Sequence, residues 1–205
     1  SNCSSLKNLE FSYNVLDTIN ISNTNLTSFD CTMVGLGTVK TLNASNCTNL
    51  EELNCRFNSI TNLNLAGCIS LKKLICGFNK LTSLDISQNG ILEYLDCSNN
   101  NLTEINTTQA TFLKDLDVSS NNIRYLDLRK NKRLTHLWAM NNPLEAIDLT
   151  IYPLETFIYS EDTTNKVEYN REPVVGGYIL YYYYLPAIFL DGVLANTIHR
   201  TFVAQ

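Results

Sequence analysis

The chain has 205 residues, 44% of them hydrophobic, and a net charge of -5, so it carries enough apolar material to bury a core of its own. Its 15 lysines and arginines are scattered rather than gathered into a stripe, which excludes nucleic acid as a partner because nothing would release counterions from a phosphate backbone. The 7 cysteines contain no C-x-x-C pair and fit neither a complete disulfide framework nor a zinc ribbon.

The chain opens on SNCSSLKNLEF, without the charged and then apolar pattern of a secretion leader. From Leu6 one phrase recurs, L-x-x-L-x-(C/L/V)-x-x-N-x-L-x-x-L-x-L. Its starts at Leu6 and Leu26 are followed by a longer step to Leu50, with three extra residues near Gly35 to Val39. It then returns every 21 residues, at Leu71, Leu92, Leu113 and Leu134. A fixed period of this length predicts a solenoid whose turns bury their apolar faces only against the turns above and below. The array takes residues 1–157 and holds about seven repeats.

With position 1 at each leading leucine, position 6 reads Phe11, Cys31, Cys55, Cys76, Cys97, Val118 and Ala139. Alternation along an extended segment sends every second side chain inward and predicts one parallel strand per turn, across 50–55, 71–76, 92–97, 113–118 and 134–139. Cysteine serves here as a small buried hydrophobe. Neighbouring turns lie ~4.8 Å apart, yet in-register parallel side chains rarely offer disulfide geometry, so Cys55, Cys76 and Cys97 are expected as buried free thiols. Position 9 reads Asn14, Val34, Asn58, Asn79, Asn100, Asn121 and Asn142, a column of inward amides expected to satisfy turn backbone. Position 19 holds Thr24, Cys47, Cys68, Asn89, Ala110, Asn131 and Tyr152; it varies more and reads as a turn position.

The phrases LEELNCRFNSI, LKKLICGFNKL and LEYLDCSNNNL resemble the strand motif of the leucine-rich repeat family, L-x-x-L-x-L-x-x-(N/C)-x-L. The second half of each turn, as in ITNLNLAGC and LTSLDISQN, is itself such a phrase. The repeat therefore resembles the short nested 21-residue bacterial type, internalin-like in general organisation. The fold class expected is a leucine-rich repeat solenoid, a right-handed superhelix of the α/β-horseshoe class that is almost all extended, with little helix, plus a C-terminal β-rich cap. Narrow elements on both sides predict two extended faces ~10 Å apart and only gentle curvature.

Beyond residue 157 the period is lost, and residues 158–205 read as a β-rich cap or small β domain. AIFL and VLAN flank Asp191-Gly192, a good two-residue hairpin turn. A solenoid leaves an open strand edge and an open core at its end, which a cap covers. Residues 174–190 carry no charge, but they are too few, and too interrupted by glycine and Pro186, to read as a membrane-spanning segment.

The only histidines are His136 and His199, and no cluster has metal-ligand spacing, so no enzyme, cofactor or metal is expected. His136 has Asp115 and Ser120 on the preceding turn within reach but reads as a solvated strand residue. Asp96 and Asp117 align at position 5, without the several oxygen ligands and turn glycine that calcium needs. What remains is surface. Phe57 and Phe78 share position 8, with Ile75, Tyr94, His136 and Trp138 nearby, and Arg56, Lys72 and Lys73 form a basic rim beside Glu51, Glu52 and Glu93. Aromatics displayed on a regular sheet are the usual anchors of a protein interface, which makes Phe57, Phe78, Tyr94, Trp138, His136, Arg56 and Ile75 the candidate protein-binding residues. The resemblance implies a non-catalytic scaffold for protein-protein recognition in an extracellular or cell-surface bacterial protein, with a lipid anchor and a cytoplasmic location both left open. The second reading is a glycan-binding surface built on Trp138 and Tyr94. The third is a structural spacer presenting the C-terminal segment.

Overall fold

The structure, a computed structural model, describes residues 6–10, 16–33 and 38–149, together with the strands Thr156–Ile158, Pro173–Val174, Gly177–Tyr178, Ile188–Leu190 and Val193–Leu194. Every turn of the array contributes one short strand to a single parallel sheet of 8 strands. Its strands are Asn8–Glu10, Ser28–Asp30, Glu52–Asn54, Lys73–Ile75, Tyr94–Asp96, Asp115–Asp117, His136–Trp138 and Thr156–Ile158. The five strands expected from Leu50 onward are all present, shorter than drawn from the sequence. No helix occurs among the described residues, and none is long and apolar enough to cross a membrane.

Register follows from the leucine period. Phe29 pairs with Leu53, Leu53 with Leu74, Leu74 with Leu95, Leu95 with Leu116 and Leu116 with Leu137. All six side chains are buried, and each contributes on the order of 1.5–3 kcal/mol by leaving water. The three extra residues between Leu26 and Leu50 do not disturb this stack, because Ser28 still pairs with Glu52 and Cys31 joins Cys55, Cys76 and Cys97 in the inward column. All four thiols are free and buried. The sheet also takes Thr156–Ile158 in register beside His136–Trp138, so an eighth strand straddles the boundary drawn at residue 157.

The asparagine column at position 9 carries out the expected role between turns. Asn79 Nδ2 donates to Cys76 O in its own turn and to Cys55 O in the turn before, both at 3.0 Å, while its Oδ1 accepts the Ile60 N–H at 2.9 Å. Asn100, Asn121 and Asn142 repeat this three-way bond. Each amide thus satisfies backbone groups of two turns that bend away from the strand ladder and would otherwise be orphaned. Asn14 and Val34 lie outside the described residues.

Position 19 is a turn position, as expected, but its side chains point inward. Cys47, Cys68, Asn89, Ala110 and Asn131 are all buried. Cys47 Sγ donates to Ile21 O and Cys68 Sγ to Ala44 O, at 2.9 and 3.1 Å, and Asn89 Nδ2 reaches Cys68 O at 2.8 Å. Asn131 meets Thr107, also buried, through a 2.7 Å bond accepted by its Oδ1. Cysteine, asparagine and alanine alternate here because the pocket is small and has a carbonyl to answer, a constraint of size and polarity that hydropathy alone does not reveal.

The second extended face is less continuous. Thr18–Asn20, Thr41–Asn43 and Asn62–Asn64 form a parallel sheet, and Tyr125–Asp127 pairs with Ala146–Leu149, but residues 83–85 and 104–106 between them are unpaired. The corners that follow the first three strands are left-handed at Asn23, Asn46 and Gly67, types that accept positive φ. Gln88, Gln109 and Lys130 occupy the same place without it. In the C-terminal segment Ile188–Leu190 adds in parallel to Ala146–Leu149 and pairs antiparallel with Val193–Leu194, Leu190 opposite Val193; Asp191 and Gly192, where the hairpin turn is expected, lie outside the described residues.

Candidate functional site

Each strand of the long sheet offers positions 3 and 5 outward, and position 8 sits at the corner beyond. Register places Lys73, Tyr94, Asp115 and His136 in one row and Ile75, Asp96, Asp117 and Trp138 in the next. The corner residues at position 8 are left-handed in every described turn from Met33 to Asn141. Asn99 and Asn141 are suited to that backbone, but Phe57 and Phe78 are not: their φ values are 57° and 54°, where a bulky side chain costs about 1–2 kcal/mol.

These two phenylalanines are brought together. Their ring centroids lie 4.6 Å apart at 36°, and the residues keep 37% and 38% of their surface exposed. Arg56 lays its guanidinium 4.9 Å from both centroids, a cation over two rings. The same group extends to Asp96 on the second turn beyond, with Nη1 3.5 Å from Oδ2. It crosses there because Gly77, on the turn between, has no side chain: a Cβ at Gly77 would stand 2.7 Å from Asp96 Oδ1 and 3.0 Å from Ser98 Oγ. Asp96 is itself buried and accepts both the backbone N–H and the hydroxyl of Ser98. The aromatic pair is therefore covered by a guanidinium that is itself paired with Asp96.

The remaining candidates divide. Ile75 and Tyr94 adjoin this cluster, with Lys73 Nζ 5.6 Å from the Tyr94 ring. His136 and Trp138 form a second cluster two turns further on, their rings stacked at 5.6 Å and 8°. His136 is half-buried and paired rather than solvated, since Nδ1 lies 2.7 Å from Asp115 Oδ1 and 3.0 Å from Thr135 Oγ1. Between the clusters stands Asp117, whose carboxyl is pushed up by burial first and by neighbouring Asp96 in addition. At the rim Glu51 pairs with Lys72 and Glu93 with Lys114, a ladder of alternating charge that steadies the turn register and contributes little individually. Sequence reasoning aligned Asp96 and Asp117 at position 5 but left them out of the binding surface, and missed Gly77; a glycine in the column that elsewhere reads Arg56, Ser98 and Ser119 was the available signal.

Among the described residues no group of three or more His, Cys, Asp or Glu side chains is arranged to hold a metal ion.

A parallel strand per turn, a buried asparagine ladder and a short turn without helix define a leucine-rich repeat protein, and the chain belongs to that family, with an internalin-like organisation. The family model for the leucine-rich repeat matches residues 91–109. Among solved structures, the functional domain of InlJ from Listeria monocytogenes, described as including a cysteine ladder, is 38% identical, with 70% of this chain and 31% of that chain covered and a TM-score of 0.63. The internalin InlF from Listeria monocytogenes is 22% identical over 67% of this chain and 50% of its own, with a TM-score of 0.47. No curated protein matches the chain. The chain spans about a third of the length of the InlJ structure.

Proposed function

We propose that the chain is a non-catalytic recognition scaffold that binds a protein on the outward face of its long sheet, with Phe57 and Phe78 as the anchor. One observation carries this reading. Two large rings occupy left-handed corners where asparagine serves elsewhere in the same column, so they are held against backbone preference and exposed, which is how strain is retained at binding sites. Arg56, fixed on Asp96, orders the rings before any partner arrives and so lowers the entropic cost of binding. The mixed-charge rim of Glu51, Lys72, Glu93 and Lys114 completes the anatomy of a protein interface. Residues 158–205 are assigned as the cap, supported by the addition of Ile188–Leu190 to the second face. The internalin-like resemblance supports export to, or attachment at, a bacterial surface.

The test is capture from host and envelope extracts beside a glycan array, with the wild-type chain and the Phe57→Ala, Phe78→Ala double variant. A protein captured by the wild type and lost with the rings supports the reading. Glycan binding that survives the double variant moves the function to the Trp138 cluster.

A further inference from the structure

Turns five and six place three aspartates, Asp96, Asp115 and Asp117, at the outward strand positions. Register puts Asp117 between Asp96 and Trp138, with Asp115 and His136 in the adjacent row. Asp96 is paired with Arg56, and Asp115 Oδ1 lies 2.7 Å from His136 Nδ1. Asp117, partly buried, has no cationic side chain at ion-pairing distance among the described residues. Its Oδ1 accepts the Ser119 N–H, at 2.9 Å, and the Arg56 charge eases it from beyond ion-pairing distance. Ser119 is 6% exposed, and its hydroxyl lies close enough to ease the Asp117 charge but forms no hydrogen bond of normal geometry, so a buried polar atom stands without a partner beside the carboxylate. In the preceding turn the equivalent Ser98 hydroxyl does bond its aspartate, at 2.6 Å.

Next to this carboxylate, which no cation pairs directly, stands Trp138, stacked flat on His136. A carboxylate beside an indole ring suits a planar cation, because guanidinium hydrogen-bonds in its plane and stacks across it. The chain already makes this kind of contact with its own residues: Arg56 covers Phe57 and Phe78, and Arg133 lies 4.3 Å from the Phe112 centroid. We infer that Asp117 and Trp138 form a docking position for an arginine side chain of the protein partner, distinct from the Phe57 and Phe78 anchor. The inference rests on the sheet face being a recognition surface and names the chemistry of what meets its C-terminal half.

Trp138 is the only tryptophan in the chain, so its emission reports on this position directly. The intact chain is titrated with a tetra-arginine peptide, with the neutral tetra-citrulline peptide as its isostere, and the series is repeated on Asp117→Asn and on the Phe57→Asn, Phe78→Asn double variant. The expected result is a saturable change with tetra-arginine, weaker by about tenfold or more with tetra-citrulline, as loss of a charge-assisted contact implies. It is lost in Asp117→Asn and kept in the phenylalanine variant. No saturable change, an equal response to tetra-citrulline, or an undiminished response in Asp117→Asn overturns the inference. If the arginine response fails while the phenylalanines still govern partner capture, only this position falls and the recognition face stands.

Discussion

Asn100 accepts the backbone N–H of Leu81 at 2.9 Å across one full turn of the solenoid, and donates back to Cys76 O at 3.1 Å. Both partners of this bridge are buried, so water cannot replace it.

Asn100→Ala therefore leaves the Leu81 N–H orphaned and weakens the bonding of the carbonyls at Cys76 and Cys97. The expected loss is about 2–4 kcal/mol in urea unfolding, since each unsatisfied buried group costs ~1–3 kcal/mol. A change within ~0.5 kcal/mol, the level of an ordinary surface substitution, contradicts the ladder.

The thiol column makes a pH-dependent prediction. Burial pushes Cys55, Cys76 and Cys97 well above the ordinary thiol range, and Cys31 up to about 12. A folded pKa above the unfolded one means that the native state holds more protons in between. The stabilisation is present in full below about pH 8.5, the unfolded thiol value, and is lost as pH rises through the folded values. The melting temperature should fall steadily above about pH 9, and iodoacetamide should label these thiols only after denaturation. Rapid labelling of the native chain at mildly alkaline pH sinks this account.

Asp117 carries a raised carboxyl with the same consequence as the thiols, moved to the acid range, because its ionised form is the one disfavoured on folding. Its contribution is best below the unfolded value of about 3.9 and is lost as pH rises through the higher folded value. Asp117→Asn keeps an oxygen for the Ser119 N–H and removes the titration. Its stability relative to wild type should rise with pH through the acid range and then level off, as read from urea midpoints. A difference independent of pH shows that burial does not disfavour the charge.

What the sequence made legible was whatever depends on period. The register from Phe29 to Leu137, the thiol column and the asparagine column all follow from counting 21 residues, with one 24-residue step between Phe29 and Leu53. Backbone handedness at position 8 was not legible, because Phe57 and Phe78 are residues that argue against a left-handed corner. Nor was the Arg56 contact with Asp96, which spans two turns and depends on the missing side chain of Gly77. His136 read as solvated although the period already put Asp115 within its reach, because register brings two side chains near without showing that they bond. Position 19 looked too variable to be core, since cysteine, asparagine and alanine share size there rather than hydropathy.

The central claim is that Phe57 and Phe78 serve recognition at the expense of the fold, and the Phe57→Asn, Phe78→Asn double variant separates the two. Relief of two left-handed corners is worth about 1–2 kcal/mol each; the lost ring pair and the cation contacts offset this by ~0.5–1.5 kcal/mol apiece. Melting temperature and capture of the partner are measured on the same preparation. The account predicts a fold close to wild type in stability, because these terms nearly cancel, and clearly more stable than the corresponding alanine variant, with capture reduced by ~2 kcal/mol or more, as loss of hot-spot residues implies. A marked loss of stability would place the rings in the core, and unchanged capture would remove them from the binding surface.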